Sequence, residues 1–167
     1  GVSVDESNMY IPDVIQIVYP FILDGQSVYD NGGNPSGLTV GVNLRVKKVS
    51  SVYNLRVEQY QASAYSAVKD IDKVLQIAEQ GGVYSDVYYP EKAKIVEIRL
   101  GTPHLGLYLE YVSRNNNSDE LLIPALIFPI IDQPSEGYFY RQNIVVPLIE
   151  EFLGASRLDQ PIRIMKT

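Results

Sequence analysis

The chain has 167 residues, no cysteine and a formal net charge of −6. That length suits a single domain and buries a sizeable core without staples, and the missing thiols remove disulfides, cysteine nucleophiles and cysteine-based metal centres. The acidic balance argues against nucleic acid as a partner, because a phosphate backbone needs clustered Lys and Arg, and the densest basic group is Arg45, Lys47 and Lys48.

With 46% hydrophobic and 20% charged residues the chain reads as globular. No apolar run approaches the ~20 residues of a membrane helix. The nearest, 121–131, is broken by Pro124 and Pro129. Residues 1–9 form a polar lead-in. VIQIVYPFILDGQSVYD (14–30) then holds Asp24-Gly25 between apolar runs, a pair that favours a type I′ hairpin because both turn positions need positive φ. NGGNPSG (31–37) is a loop by composition. In LTVGVNLRV (38–46), alternation puts Leu38, Val40, Val42, Leu44 and Val46 on one face of a strand. KKVSS is expected to turn the chain and VYNLRVEQYQAS (52–63) to run back beside it, which puts the basic trio near one hairpin tip.

Helical spacing is strong over residues 64–80. Ala64, Ala67, Val68, Ile71, Val74, Leu75 and Ala78 form one stripe, Ser63 or Ser66 can cap its start, and Gly81-Gly82 suits its end. One face of this helix is expected to lie on a sheet. VYSDVYYP (83–90) is a tyrosine-rich connector. AKIVEIRL (93–100) and HLGLYLEYV (104–112) read as strands joined through Gly101-Thr102-Pro103, with Leu105, Leu107, Leu109 and Tyr111 facing one way. SRNNNSDE (113–120) is a hydrophilic turn. ELLIPALIFPII (120–131) is apolar on both faces, so it needs cover on both. Pro124 cannot donate a ladder bond, which predicts a bulge there. FYRQNIVV (139–146) is a further strand, PLIEEFL (147–153) a short helix ended by Gly154, and the tail is peripheral. Strands, a helix and more strands define an α+β chain of antiparallel sheets. It forms one compact domain over 1–167, divisible into a β-rich part (10–62) and a second part (54–153).

Three pieces of the second part carry a family likeness. A strand runs into a helix with small residues near its start and glycines at its end (YQASAYSAVKDIDKVLQIAEQGG). A strand pair carries LYLEYV. ELLIPALIF is similar to the closing strand of PepSY-like modules. From Asn54 to about Ile131 the chain resembles these extracytoplasmic bacterial modules, which hold, inhibit or regulate other proteins. The resemblance implies a cell-envelope address, a membrane anchor outside this chain and a protein partner. It brings no catalytic residues.

Residue chemistry gives few rivals. His104 is the single histidine and sits between Pro103 and Leu105, as turn residues do. Asp30, Asn31, Gly32 and Asn34 come nearest to a calcium loop without matching one. Glu97 and Glu110, on neighbouring strands, could converge as a hydrolase pair, although Arg99 on the face of Glu97 fits a surface ion pair. No nucleophile elbow, P-loop or dinucleotide fingerprint is present.

Tyrosine is the unusual signal, with 13 Tyr against 4 Phe and no Trp. Its apolar ring and polar tip suit contact surfaces. Tyr84, Tyr88 and Tyr89 cluster in the connector, and Tyr138 and Tyr140 share a strand face. These five are the candidate partner-binding residues. The expected function is a non-catalytic extracytoplasmic binding or regulatory module for a protein partner, with no metal or cofactor. The alternatives are a glycan- or peptide-binding site between helix and sheet, and a carboxylate-dependent hydrolase.

Overall fold

The computed structural model describes residues 12–55, 57, 59–83, 98–114, 117–132 and 141–153. They form a mixed α+β structure of two sheets and one α-helix. The small sheet has the order β1-β4-β5, from Val14–Pro20, Gly37–Asn43 and Lys48–Tyr53. The main sheet has the order β2-β3-β7-β8-β6, with β9 also on β8. Its strands are β2 (Ile22–Leu23), β3 (Gln26–Tyr29), β6 (Arg99–Leu100), β7 (His104–Arg114), β8 (Asn117–Asp132) and β9 (Asn143–Pro147). All pairs are antiparallel except β3–β7, which is parallel through Val28↔Leu107 and Tyr29↔Tyr108.

Several turns follow local chemistry. Asp24 and Gly25 both have positive φ (49° and 79°), as a type I′ link between β2 and β3 requires. The β4–β5 turn comes earlier than the alternation suggests. Asn43 Oδ1 accepts from the backbone N–H groups of Arg45 and Val46 at 3.0 and 3.1 Å, which ends β4. Leu44 and Val46 therefore lie in the turn, and Lys48, Val49, Ser50 and Ser51, expected to turn, belong to β5.

The α-helix, α1, spans Ile71–Glu79, not 64–80. The stretch before it is extended because its backbone groups are used elsewhere. Ala67 bridges Ile149, Val68 N–H donates to Leu148 O at 2.9 Å, and Glu150 N–H donates to Ser66 O at 3.0 Å. Asp70 caps the helix instead of a serine, accepting from Lys73 N–H at 3.1 Å. At the other end Gly81 N–H reaches Ala78 O and Gly82 N–H reaches Ile77 O, a Schellman stop on two positive-φ glycines. Val74, Ile77 and Ala78 are buried, whereas Ile71 and Leu75 of the expected stripe are exposed. At the C-terminal end, a 3-10 turn at Glu150–Phe152 stands where a short helix is expected over 147–153.

Strand β8 is central. One face carries Ile123, Ala125 and Ile127, which cluster with Tyr108, Val145, Val83 and Ile149. The other carries Phe128, which clusters with Val74, Ile77 and Ala78 of α1 and with Ile144, Val146 and Leu153. Val28, Leu107 and Leu109 form a third cluster. The β7–β8 register runs unbroken through Leu107↔Pro124, so the expected bulge is absent. The reason is which way each proline points. Pro124 O accepts from Leu148 N–H, so the missing Pro124 donor faces the side where β9 has ended at Ala125↔Pro147. Pro129 O accepts from Gly101 N–H, so its nitrogen faces the gap between β6 and β7. Neither proline deletes a ladder bond.

The start of β9 ties three segments together. Arg141 Nη1 donates to Gly81 O at 2.8 Å, at the negative end of α1. Its Nε donates to Gly32 O at 3.4 Å, and Asn143 Nδ2 donates to Gly33 O at 2.8 Å. Gly33 and Gly82 have positive φ, and a Cβ on either would overlap the carbonyl of Asn143 or Val145.

Two stability measurements check this account. Ile127 is fully buried and Ile131 is exposed. In urea unfolding, Ile127→Ala should cost about 2–5 kcal/mol, and Ile131→Ala less than about 1 kcal/mol. Arg141→Ala should cost about 2 kcal/mol and accelerate amide exchange at 30–34 and 81–83 ahead of the β7–β8 pair. Uniform acceleration would contradict the local tie.

Candidate functional site

The most distinctive surface is one face of the small sheet. Partners across each ladder share a face. Ile15↔Val42, Ile17↔Val40 and Tyr19↔Leu38 join β1 to β4, and Val40↔Val52 and Val42↔Val49 join β4 to β5. Val49 and Val52 are three apart and would alternate onto opposite faces. The register shift beside Gly41 accommodates Ser50 as an extra residue and returns both valines to one face. Ser50 Oγ donates to Gly41 O at 3.1 Å, which holds the bulge.

The result is a sheet with an apolar face of Ile15, Ile17, Tyr19, Leu38, Val40, Val42, Val49 and Val52. The opposite face carries Gln16, Thr39, Gly41, Asn43, Lys48 and Ser51 along with Val14, Val18 and Tyr53. The apolar face stays open, with Ile17 at 39%, Tyr19 at 55%, Val49 at 61% and Val52 at 49% exposure. Contiguous open apolar area of this kind marks contact surfaces.

At Tyr19 and Leu38 this face runs into a groove of about 290 Å³ between the two sheets. The groove floor is Val28, Leu109 and Leu122, and its walls include Phe21, Leu55 and Tyr60. Phe21 and Tyr60 rings lie 5.9 Å apart, centre to centre. Asn54 and Glu120 supply polar groups. Asn54 has φ 58° and donates from Nδ2 to Gly37 O at 3.2 Å, which turns the chain away after β5.

The five tyrosines singled out by sequence, Tyr84, Tyr88, Tyr89, Tyr138 and Tyr140, lie outside the described residues, as does Glu97. Glu110 is half-buried and accepts a hydrogen bond from the Tyr108 hydroxyl. Arg99 pairs with Asp132 at 3.3 Å. Asp30 closes its own turn, accepting from Asn34 N–H at 2.8 Å. Among the described residues no group of three His, Cys, Asp or Glu is placed to hold a metal ion. Arg45 reaches Asp13 at 3.1 Å at the exposed β4–β5 turn.

His104 begins β7 and is exposed. Its Nε2 lies 3.2 Å from the Tyr29 hydroxyl, with the rings edge to face. Burial raises the Tyr29 pKa above the ordinary tyrosine value. The face residues of β1 and the groove residues Phe21, Leu55 and Tyr60 are absent from the sequence-based candidates. Alternation in 38–42 held part of the signal. The bulge that aligns β5 did not show in it.

Comparison with protein-family models, curated proteins and solved structures finds no match to this chain.

The Tyr29 environment gives a pH prediction. A phenol with a raised folded pKa stabilises the protein fully below the unfolded value near 10, and that stability is lost as pH rises through the folded pKa. Phenolate absorbance should show a late-titrating component, and Tyr29→Phe should reduce its amplitude and flatten the alkaline fall in stability. A late component of unchanged amplitude in Tyr29→Phe would contradict this.

Proposed function

We propose that the chain is a non-catalytic extracytoplasmic module that recognises a protein partner, of the PepSY-like regulatory kind that its sequence resembles. The observation that supports partner binding is the open apolar face of the small sheet, continuous with the groove at Tyr19 and Leu38. A folded chain that leaves valines and isoleucines in register on a sheet face gains free energy when a partner covers them. The envelope address and the regulatory role are carried by the sequence resemblance. Tyr84, Tyr88, Tyr89, Tyr138 and Tyr140 enter the proposal as further contact residues on the strength of tyrosine chemistry.

The groove supports a second reading, a site for a peptide or glycan fragment. Its volume is near the lower end for small-molecule sites, and Asn54, Tyr60 and Glu120 would orient the ligand above the apolar floor.

The test is retention from a cell-envelope extract. Three proteins are compared: wild type, Val49→Lys/Val52→Lys, and Tyr84→Ala/Tyr88→Ala/Tyr89→Ala. Both valines are exposed, so the lysines should leave thermal unfolding nearly unchanged. A partner held by wild type and lost by the lysine variant supports the face. A partner lost only by the alanine variant moves the contact to the connector. A partner held equally by all three contradicts both surfaces.

A further inference from the structure

Beyond partner recognition, the two edges of the small sheet differ in a way that selects one of them for pairing. Among the described residues, β1 and β5 each pair with β4 alone. An unpaired edge presents free N–H and C=O groups, and proteins guard such edges with charge, proline or a bulge. Strand β5 carries Lys48 and the Ser50 bulge. Strand β1, VIQIVYP, has no charge and an unbroken register, and its guards stand only at its ends, Pro20 after it and Pro12 and Asp13 just before it.

The direction of the free groups follows from the flanking hydrogen bonds. Leu44 N–H donates to Asp13 O, and Phe21 N–H donates to Ser36 O, so the odd-numbered residues of β1 point their backbone groups at β4. Val14, Gln16 and Val18 therefore point theirs outward, together with the carbonyl of Pro20. Every side chain along this edge is uncharged, so two antiparallel copies oppose no like charges, despite a chain net charge of −6.

We infer that β1 is a self-association edge, where two copies of the chain pair antiparallel about a two-fold axis at Ile17. This register sets Ile17 against Ile17 of the second copy, Ile15 against Tyr19, and Gln16 against Val18. The N–H groups of Val14, Gln16 and Val18 meet the carbonyls of Pro20, Val18 and Gln16, so Pro20 is asked only to accept. The register about Gln16 sets Tyr19 against the charged Asp13, and the register about Val18 places Val14 opposite Ile22, outside β1, so its N–H finds no partner in the second copy's strand. The dimer forms one continuous six-stranded sheet, β5-β4-β1-β1-β4-β5, with both apolar faces on the same side. Such an interface is isologous, as a two-fold requires.

Sedimentation of the full chain from about 1 µM to about 1 mM reads the association directly. Wild type should shift from monomer to dimer across that range. Ile17→Lys and Ile17→Glu should each be monomeric, because like charges face each other across the axis, and mixing the two should restore a dimer. Ile17→Cys should form a disulfide-linked dimer under mild oxidation, since the chain has no other thiol and a non-hydrogen-bonded pair lies within disulfide reach. The Val49→Lys/Val52→Lys protein should dimerise like wild type, which separates failure of this edge from failure of the partner-binding face. Monomeric wild type at about 1 mM would overturn the inference. So would a dimer indifferent to both charge variants, or charge variants that stay monomeric when mixed.

Discussion

The structure depends on one strand being apolar on both faces. Strand β8 is 16 residues long and carries Ile123, Ala125 and Ile127 on one side and Phe128 on the other, all buried. Both sides must be covered or the strand costs more free energy than its ladder returns. That requirement explains the layers. Val74, Ile77 and Ala78 of α1 join the Phe128 side, and Val83 and Ile149 join the Ile127 side. The two prolines are tolerated because their missing donors face ladder gaps, so the coverage does not conflict with hydrogen bonding.

A second consequence is that helix α1 is short. Coverage of β8 recruits the backbone of 66–68 into extended pairing with 148–150, and this overrides a helical pattern that begins at Ala64. The polar ties at Arg141 and Asn143 then fix where the helix ends and where the 30–34 loop sits. Packing selects the elements, and the hydrogen bonds fix their termini.

Much of this was legible in the sequence, for identifiable reasons. The Asp24-Gly25 turn, the Gly81-Gly82 stop, the β7–β8 hairpin and the two-sided character of β8 each rest on a local signal that no distant contact reverses. The helix start, the Pro124 register and the β4–β5 turn were misread because each is decided by a partner far along the chain or by one side-chain hydrogen bond. The candidate surface was half visible. Alternation marks Leu38, Val40 and Val42, but Val49 and Val52 join them only through a bulge. The uncovered state of that face is a property of what packs against it, which no local pattern encodes.

The two sheets thus differ in kind. The main sheet buries Val28, Leu107, Leu109, Ile123, Ile127 and Phe128 in a core. The small sheet keeps Ile17, Tyr19, Val49 and Val52 open to solvent. Side-chain footprinting by carbene labelling, on the chain alone and in an envelope extract, tests that contrast most directly. Ile17, Tyr19, Val49 and Val52 should be protected in the extract. Leu105 and Ile131, comparably exposed on the main sheet, should label unchanged. Equal labelling of both sets in both conditions would contradict the claim that the open face of the small sheet is the surface this protein uses.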